Sequence, residues 1–136
     1  MNTQKSTIKG LEQGRAQFAY LAVASQKDTA GEGDYKAYAK KIPMLIKTNG
    51  LGATIAYIEA KGKTKKAYME IYKQIAQWLK KDDKNLVDLS QTSLTEAIIS
   101  LDSSAYRAVT VEILALFSWL SRFSEGLLEG GADDEA

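Results

Sequence analysis

The chain has 136 residues, a formal net charge of +1, no cysteine and no histidine. That length builds one core, and the two absences exclude a disulfide framework, a thiolate metal site and an imidazole base. Its first residues, Met1 to Lys5, lack the apolar stretch of a signal peptide, and its most apolar run is broken by Glu112, Ser118 and Arg122, well short of the roughly 20 clean residues of a membrane span. A cytoplasmic protein with no membrane contact is expected.

Helix 1 is predicted over Thr7–Ser25, with Ile8, Leu11, Phe18, Leu21 and Ala22 on one face and Arg15 close to it. Gln26–Gly33 reads as a loop. Asp34 is expected to cap helix 2, which buries Tyr35, Tyr38, Ala39, Ile42, Leu45 and Ile46 and turns Lys36, Lys40 and Lys47 to the opposite side. Pro43 should kink or restart that helix, and Asn49-Gly50 should end it. Helix 3 covers about Leu51–Lys61, and Lys61–Lys66 is a basic turn. Helix 4, about Lys65–Lys81, buries Tyr68, Ile71, Tyr72, Ile75 and Leu79 and places Trp78 off its main face.

Asp82–Asn85 is a polar connection. Ser93-Leu94-Thr95-Glu96 is a capping box that opens helix 5. Asp102-Ser103-Ser104 opens helix 6, and Gly126 reads as its stop. Helix 6 repeats apolar residues at Tyr106, Val109, Ile113, Leu116, Phe117, Leu120 and Phe123, widened by Val111, Leu114, Ala115 and Trp119. Glu112 projects into this buried side near Trp119. An unpaired carboxylate there costs several kcal/mol or shifts its pKa upward, so a cation is expected opposite it; Arg15 is the candidate, its other reading being an edge residue whose stem packs while its head reaches water. The expectation is an all-α, compact single-domain bundle of five to six helices over residues 1–136, with mobile ends at 1–6 and 125–136.

Catalysis has little to work with. No nucleophile–base pair forms without His or Cys, apart from a Ser–Lys dyad. Gly50-Leu51-Gly52 lacks the preceding strand and following Gly-Lys-Ser/Thr of a phosphate loop. The acidic runs at Asp82-Asp83 and Asp133–Glu135 read as solvated carboxylates, so no catalytic residue, metal or cofactor is expected. Charge is more informative. Between Tyr35 and Lys84 stand twelve lysines against four carboxylates, while the tail from Glu125 carries only acids. Such a surface can follow a phosphate backbone. The candidates are Lys36, Lys40, Lys41, Lys47, Lys63, Lys65, Lys66 and Lys73, with Lys61 on charge patterning alone and Arg107 and Arg122 on the polar seam of helix 6.

Three segments carry a resemblance. The stretch from Tyr35 to Gly52, through Lys41-Ile42-Pro43-Met44-Leu45-Ile46-Lys47-Thr48-Asn49-Gly50-Leu51, resembles the K-x-P-x-L-I-x-x-N-G-L segment of the small subunit of the type III-B CRISPR (Cmr) effector complex. Asp102-Ser103-Ser104 with Tyr106-Arg107, Glu112, Leu116-Phe117, Trp119-Leu120 and Arg122-Phe123 is similar to the end of that family, and Arg15-Ala16 with Phe18-Ala19 to its first helix. The resemblance implies a non-catalytic structural subunit in antiviral defence. Copies of it would stack into a minor filament, beside the backbone and large subunits of the complex, and touch guide RNA and target RNA. Lys40, Lys41, Lys47, Arg107 and Arg122 lie in or beside the matching motifs; Arg15, Glu112 and Trp119 match as fold residues. The competing reading is a helical protein-interaction adaptor with no direct nucleic-acid contact.

Overall fold

The structure, a computed structural model, describes residues 3–82 and 84–130. It is all-α: α1 (Thr3–Ala24), α2 (Glu32–Asn49), α3 (Leu51–Gly62), α4 (Lys66–Lys81), α5 (Leu94–Ile99) and α6 (Ser103–Leu127). The expected interior position of Ile8, Asp83 and the acidic end 131–136 lie outside the described residues.

α6 is the central element. Val109, Ile113, Leu116, Phe117 and Leu120 are fully buried on it, in the i, i+3, i+4, i+7 rhythm that turns one face to a core. Val111 stands 68% exposed, because it lies about 200° around the helix from Val109. Asp102 caps the helix by accepting from the Ala105 N–H at 2.8 Å. The helix passes through Gly126, and Leu128 behind it is buried, since an apolar anchor beyond a glycine can outweigh its helix penalty of about 1 kcal/mol.

α1 packs along α6, with the expected Phe18 and Ala22 half-buried against the core. Its buried positions are Arg15, Ala19 and Val23, and Leu21 is exposed. Alanine and arginine do not announce a core face. Leu21 sits about 200° from Ala19 and points away.

α2 begins at Glu32 behind Gly31, and Asp34 lies inside the first turn, where its charge faces the helix dipole, rather than at the cap. The helix continues through Pro43, its inner face still held by Ala39, Ile42 and Ile46. It runs opposite in sense to α6: Lys36 near its start pairs with Glu125 at 4.0 Å, and the residues just past its end meet Tyr106.

That second contact joins two of the segments that carry the resemblance. α3 starts at Leu51 behind Gly50, whose φ of 90° is the left-handed region glycine adopts freely. Gly50 has no side chain to cap α3. The free N–H of Gly52 donates instead to the Tyr106 hydroxyl of α6 at 2.7 Å, which fills the role a capping Ser or Asp would have. A Cβ on Gly52 would come within 3.3 Å of that hydroxyl, so the tyrosine would have to give by a few tenths of an ångström to admit one. Tyr106→Phe is expected to cost about 1–2 kcal/mol, read as a lower urea midpoint with unchanged slope.

α4 lies against α3 and α2 with Ala67, Tyr68, Ile71, Gln74, Ile75, Trp78 and Leu79 buried. Trp78 is on the inner face, not off it, being seven residues beyond Ile71. Ser93 opens α5 by accepting from Glu96 N–H at 3.1 Å. The Glu96 carboxylate takes the Thr92 hydroxyl at 2.8 Å, so only half of the expected box forms.

Candidate nucleic-acid interface

The basic residues divide by their surroundings. Lys40, Lys41 and Lys47 are exposed on α2, and Lys61, Lys63, Lys65, Lys66 and Lys73 are exposed on α3, the turn after it, and α4. Lys65 is the N-cap residue of α4, and its N–H donates to the Lys61 carbonyl at 2.9 Å, so the turn holds its ammonium stems at fixed roots. Among the described residues, Lys47, Lys63, Lys65, Lys66 and Lys73 have no carboxylate within ion-pairing distance. Lys36 differs. Its side chain is only 14% exposed and it faces Glu125, so it ties α2 to α6 more than it presents charge.

Lys84, counted in the basic surplus, is also spent inside the protein, its ammonium 2.7 Å from Glu112. Arg107 is exposed on α6. Arg122 is exposed and rests its guanidinium 5.5 Å from the Trp119 ring centre, a cation–π contact that orients it.

Two of the exposed lysines converge on an aromatic ring. Lys41 of α2 and Lys61 of α3 each place an ammonium 5.7 Å from the centre of the Tyr57 ring. Tyr57 is 36% exposed. Behind it Tyr68 meets it edge-on at 5.7 Å and stacks on Tyr38 at 3.7 Å. The Tyr57 hydroxyl is held below the usual phenol range, chiefly by its hydrogen bond with Tyr68 and then by Lys41 and Lys61. Burial pushes the Tyr68 hydroxyl up. Tyr57 does not stand out in the sequence. The only signal is its position four residues before Lys61, one turn of the same helix.

The cation opposite Glu112 is Arg15. Its guanidinium makes a two-pronged contact, Nε to Oε2 at 2.7 Å and Nη2 to Oε1 at 2.9 Å. The indole beside Glu112 is Trp78, whose Nε1 donates to Oε2 at 2.8 Å. Trp119 turns elsewhere and donates to Glu12 at 2.5 Å. Burial raises the Glu112 carboxyl, but donation by Arg15, Lys84 and Trp78 outweighs it and holds the group down to about 2. Arg15 is raised in turn, first by that hydrogen bond. Nearby Asp82 is pushed up chiefly by its own burial. This cluster locks α1, α4 and α6 together beneath the surface. Among the described residues no group of acids could hold a metal ion, and no helix is long and apolar enough to cross a membrane.

The family profile of the CRISPR-associated protein Cas_Cmr5 matches residues 11–127. The chain is 32% identical over 114 residues to the CRISPR system Cmr subunit Cmr5 of Thermus thermophilus, a match that covers 84% of this chain and 92% of that protein. It also superimposes on the crystal structure of a CRISPR-associated Cmr5 family protein from Thermus thermophilus. That match has a TM-score of 0.72 and 30% identity, covering 88% of this chain and 97% of the other. With nearly the whole helical body matched in sequence and in shape, the chain belongs to the Cmr5 family of CRISPR-associated proteins.

Proposed function

We propose that this chain is the non-catalytic small subunit of a type III-B Cmr effector complex, a single helical domain that stacks on copies of itself, touches the backbone and large subunits, and lays its α2–α4 flank along guide or target RNA. The observation that carries the RNA contact is the set Lys47, Lys63, Lys65, Lys66 and Lys73, exposed and without an ion-pair partner among the described residues. Exposed ammonium groups without a carboxylate partner are free to displace counterions from a phosphate chain. Protein contacts are supported by a second feature. Leu21, Met44, Ile99 and Val111 are each more than 60% exposed, and large apolar side chains of this kind gain about 25 cal/mol per Å² when a neighbour covers them. A stack of copies presents two different faces.

The test uses the assembled complex. Lys47, Lys63, Lys66 and Lys73 are replaced together by glutamine, and target-RNA affinity is followed against salt. The expected result is weaker association and a log–log salt slope reduced by about 0.7 for each lysine that met a phosphate. An unchanged slope would make the lysines a solvated surface and favour the protein-only adaptor.

A further inference from the structure

We propose that Tyr57, Lys41 and Lys61 together form a discrete phosphate site that receives one phosphodiester of the bound RNA, with the Tyr57 hydroxyl as a directional donor between two ammonium groups. The proposal rests on the reading that the α2–α4 flank faces RNA, and adds where on that flank a phosphate is fixed rather than merely attracted.

The support is geometric. The site is assembled from two helices: Lys41 comes from α2, and Tyr57 and Lys61 from α3, with both ammoniums at 5.7 Å from one ring centre. A lysine on a loose surface spends its freedom in water; these two are gathered on a common partner. Tyr57 is 36% exposed, so its phenol O–H is open to an outside acceptor. Tyr68 and the ammonium groups of Lys41 and Lys61 hold that hydroxyl below the usual phenol range, in keeping with a stronger donor. The ring is braced, because Tyr68 meets it edge-on at 5.7 Å and is itself stacked on Tyr38 at 3.7 Å.

The acids around the cluster are occupied or set back. Glu59, two residues from Tyr57, accepts the Thr95 hydroxyl at 2.7 Å on the side of α5. Asp34 reaches the cluster only as a weak field on Tyr68. Two positive charges gathered on one ring that carries an exposed neutral donor suit a singly charged, tetrahedral oxyanion.

The experiment compares Tyr57→Phe and Lys61→Gln, both at exposed positions, in the assembled complex, with melting temperature as the check on folding. Target RNAs carrying one neutral methylphosphonate at each successive position are the probe. Tyr57→Phe should weaken target association by about tenfold and leave the salt slope unchanged, since a neutral donor releases no counterion. Lys61→Gln should weaken it and reduce the slope by about 0.7. Both effects should vanish on the same methylphosphonate target, which marks the phosphate held. If Tyr57→Phe binds like the wild type while Tyr57→Leu is weak, the ring stacks on a base and the phosphate site is wrong. If neither variant changes affinity but the four-lysine variant does, the site fails and the RNA-facing flank stands. If none of the three has any effect, both fail.

Discussion

Glu112→Ala is expected to destabilise the fold by about 3–5 kcal/mol, a fall in melting temperature of roughly 10–15 °C for a chain of this size. The carboxylate is fully buried and organises three donors, Arg15, Trp78 and Lys84. Its loss affects them unequally. Lys84 is 39% exposed and can turn to water. Arg15 retains Glu12 at 2.9 Å but loses both prongs into the interior, and the buried Trp78 N–H loses its acceptor. Arg15→Met should be nearly as damaging, since it leaves Glu112 buried with one full charge fewer around it. The double variant Arg15→Met/Glu112→Ala should be clearly more stable than the sum of the single losses, because two apolar groups replace a pair whose members cannot be left alone. Strict additivity would mean that the pair is not coupled.

The same cluster fixes an acid response. The Glu112 carboxyl titrates lower in the folded chain, at about 2, than in the unfolded one, near its ordinary 4.5. Its contribution is therefore complete above about pH 4.5 and is lost as pH falls toward 2. The stability gap between wild type and Glu112→Gln should be flat from about pH 5 to 7 and close below about pH 4 in urea titrations. Asp82, raised by burial, acts in the opposite sense and is gained as pH falls. It is present in both proteins, so its own titration largely cancels in the difference.

Gln74→Leu should cost about 1–3 kcal/mol, the second large loss expected. Tyr35 is completely buried on α2 and donates to the Gln74 Oε1 of α4 at 2.5 Å; Gln74 passes a bond on to the Ala22 carbonyl of α1 at 3.3 Å. Three helices are joined by one chain of polar groups whose Tyr35–Gln74 link is buried. Removing the amide strands the Tyr35 hydroxyl. Tyr35→Phe alone should be damaging for the converse reason, leaving a buried amide oxygen without a donor. The double variant Tyr35→Phe/Gln74→Leu should recover most of the loss, since no buried partner is then stranded and the Ala22 carbonyl still accepts the Ser25 hydroxyl at 2.7 Å. Thermal melts of the three variants check this ordering, and a double variant worse than either single would contradict it.

How far the sequence reaches can be judged from these clusters. Glu112 is visible in it as a problem, because a charge inside an apolar stripe violates the pattern around it, and Arg15 is the cation near the matching face of another helix. Caps are visible at Ser93 and Asp102, where short polar side chains precede a periodic run. Gln74 is not visible, because a glutamine on a helix looks the same whether it faces water or a tyrosine. Leu21 and Val111 read as interior on hydrophobicity alone, yet each stands opposite its helix's inner row, and the true α1 row is built on Ala19 and Arg15. Among the candidate site residues, exposure follows from spacing for Lys40, Lys47 and Lys73. Pairing does not: Lys36 and Lys84 read as surface charge until the fold brings Glu125 and Glu112, distant along the chain, beside them. Tyr57 acquires its place only when α2 brings Lys41 across to α3.

The most direct measure of the RNA contact is position-resolved cross-linking. Single cysteines carrying a short photoreactive group, at Lys47, Lys63, Lys66 and Lys73 and at the exposed controls Ser90 and Ser103, are placed in the cysteine-free chain, and the complex is assembled with guide and labelled target. RNA should be captured from the four α2–α4 positions and not from the controls. Equal capture at all six, or capture from the controls alone, would contradict an RNA-facing α2–α4 flank.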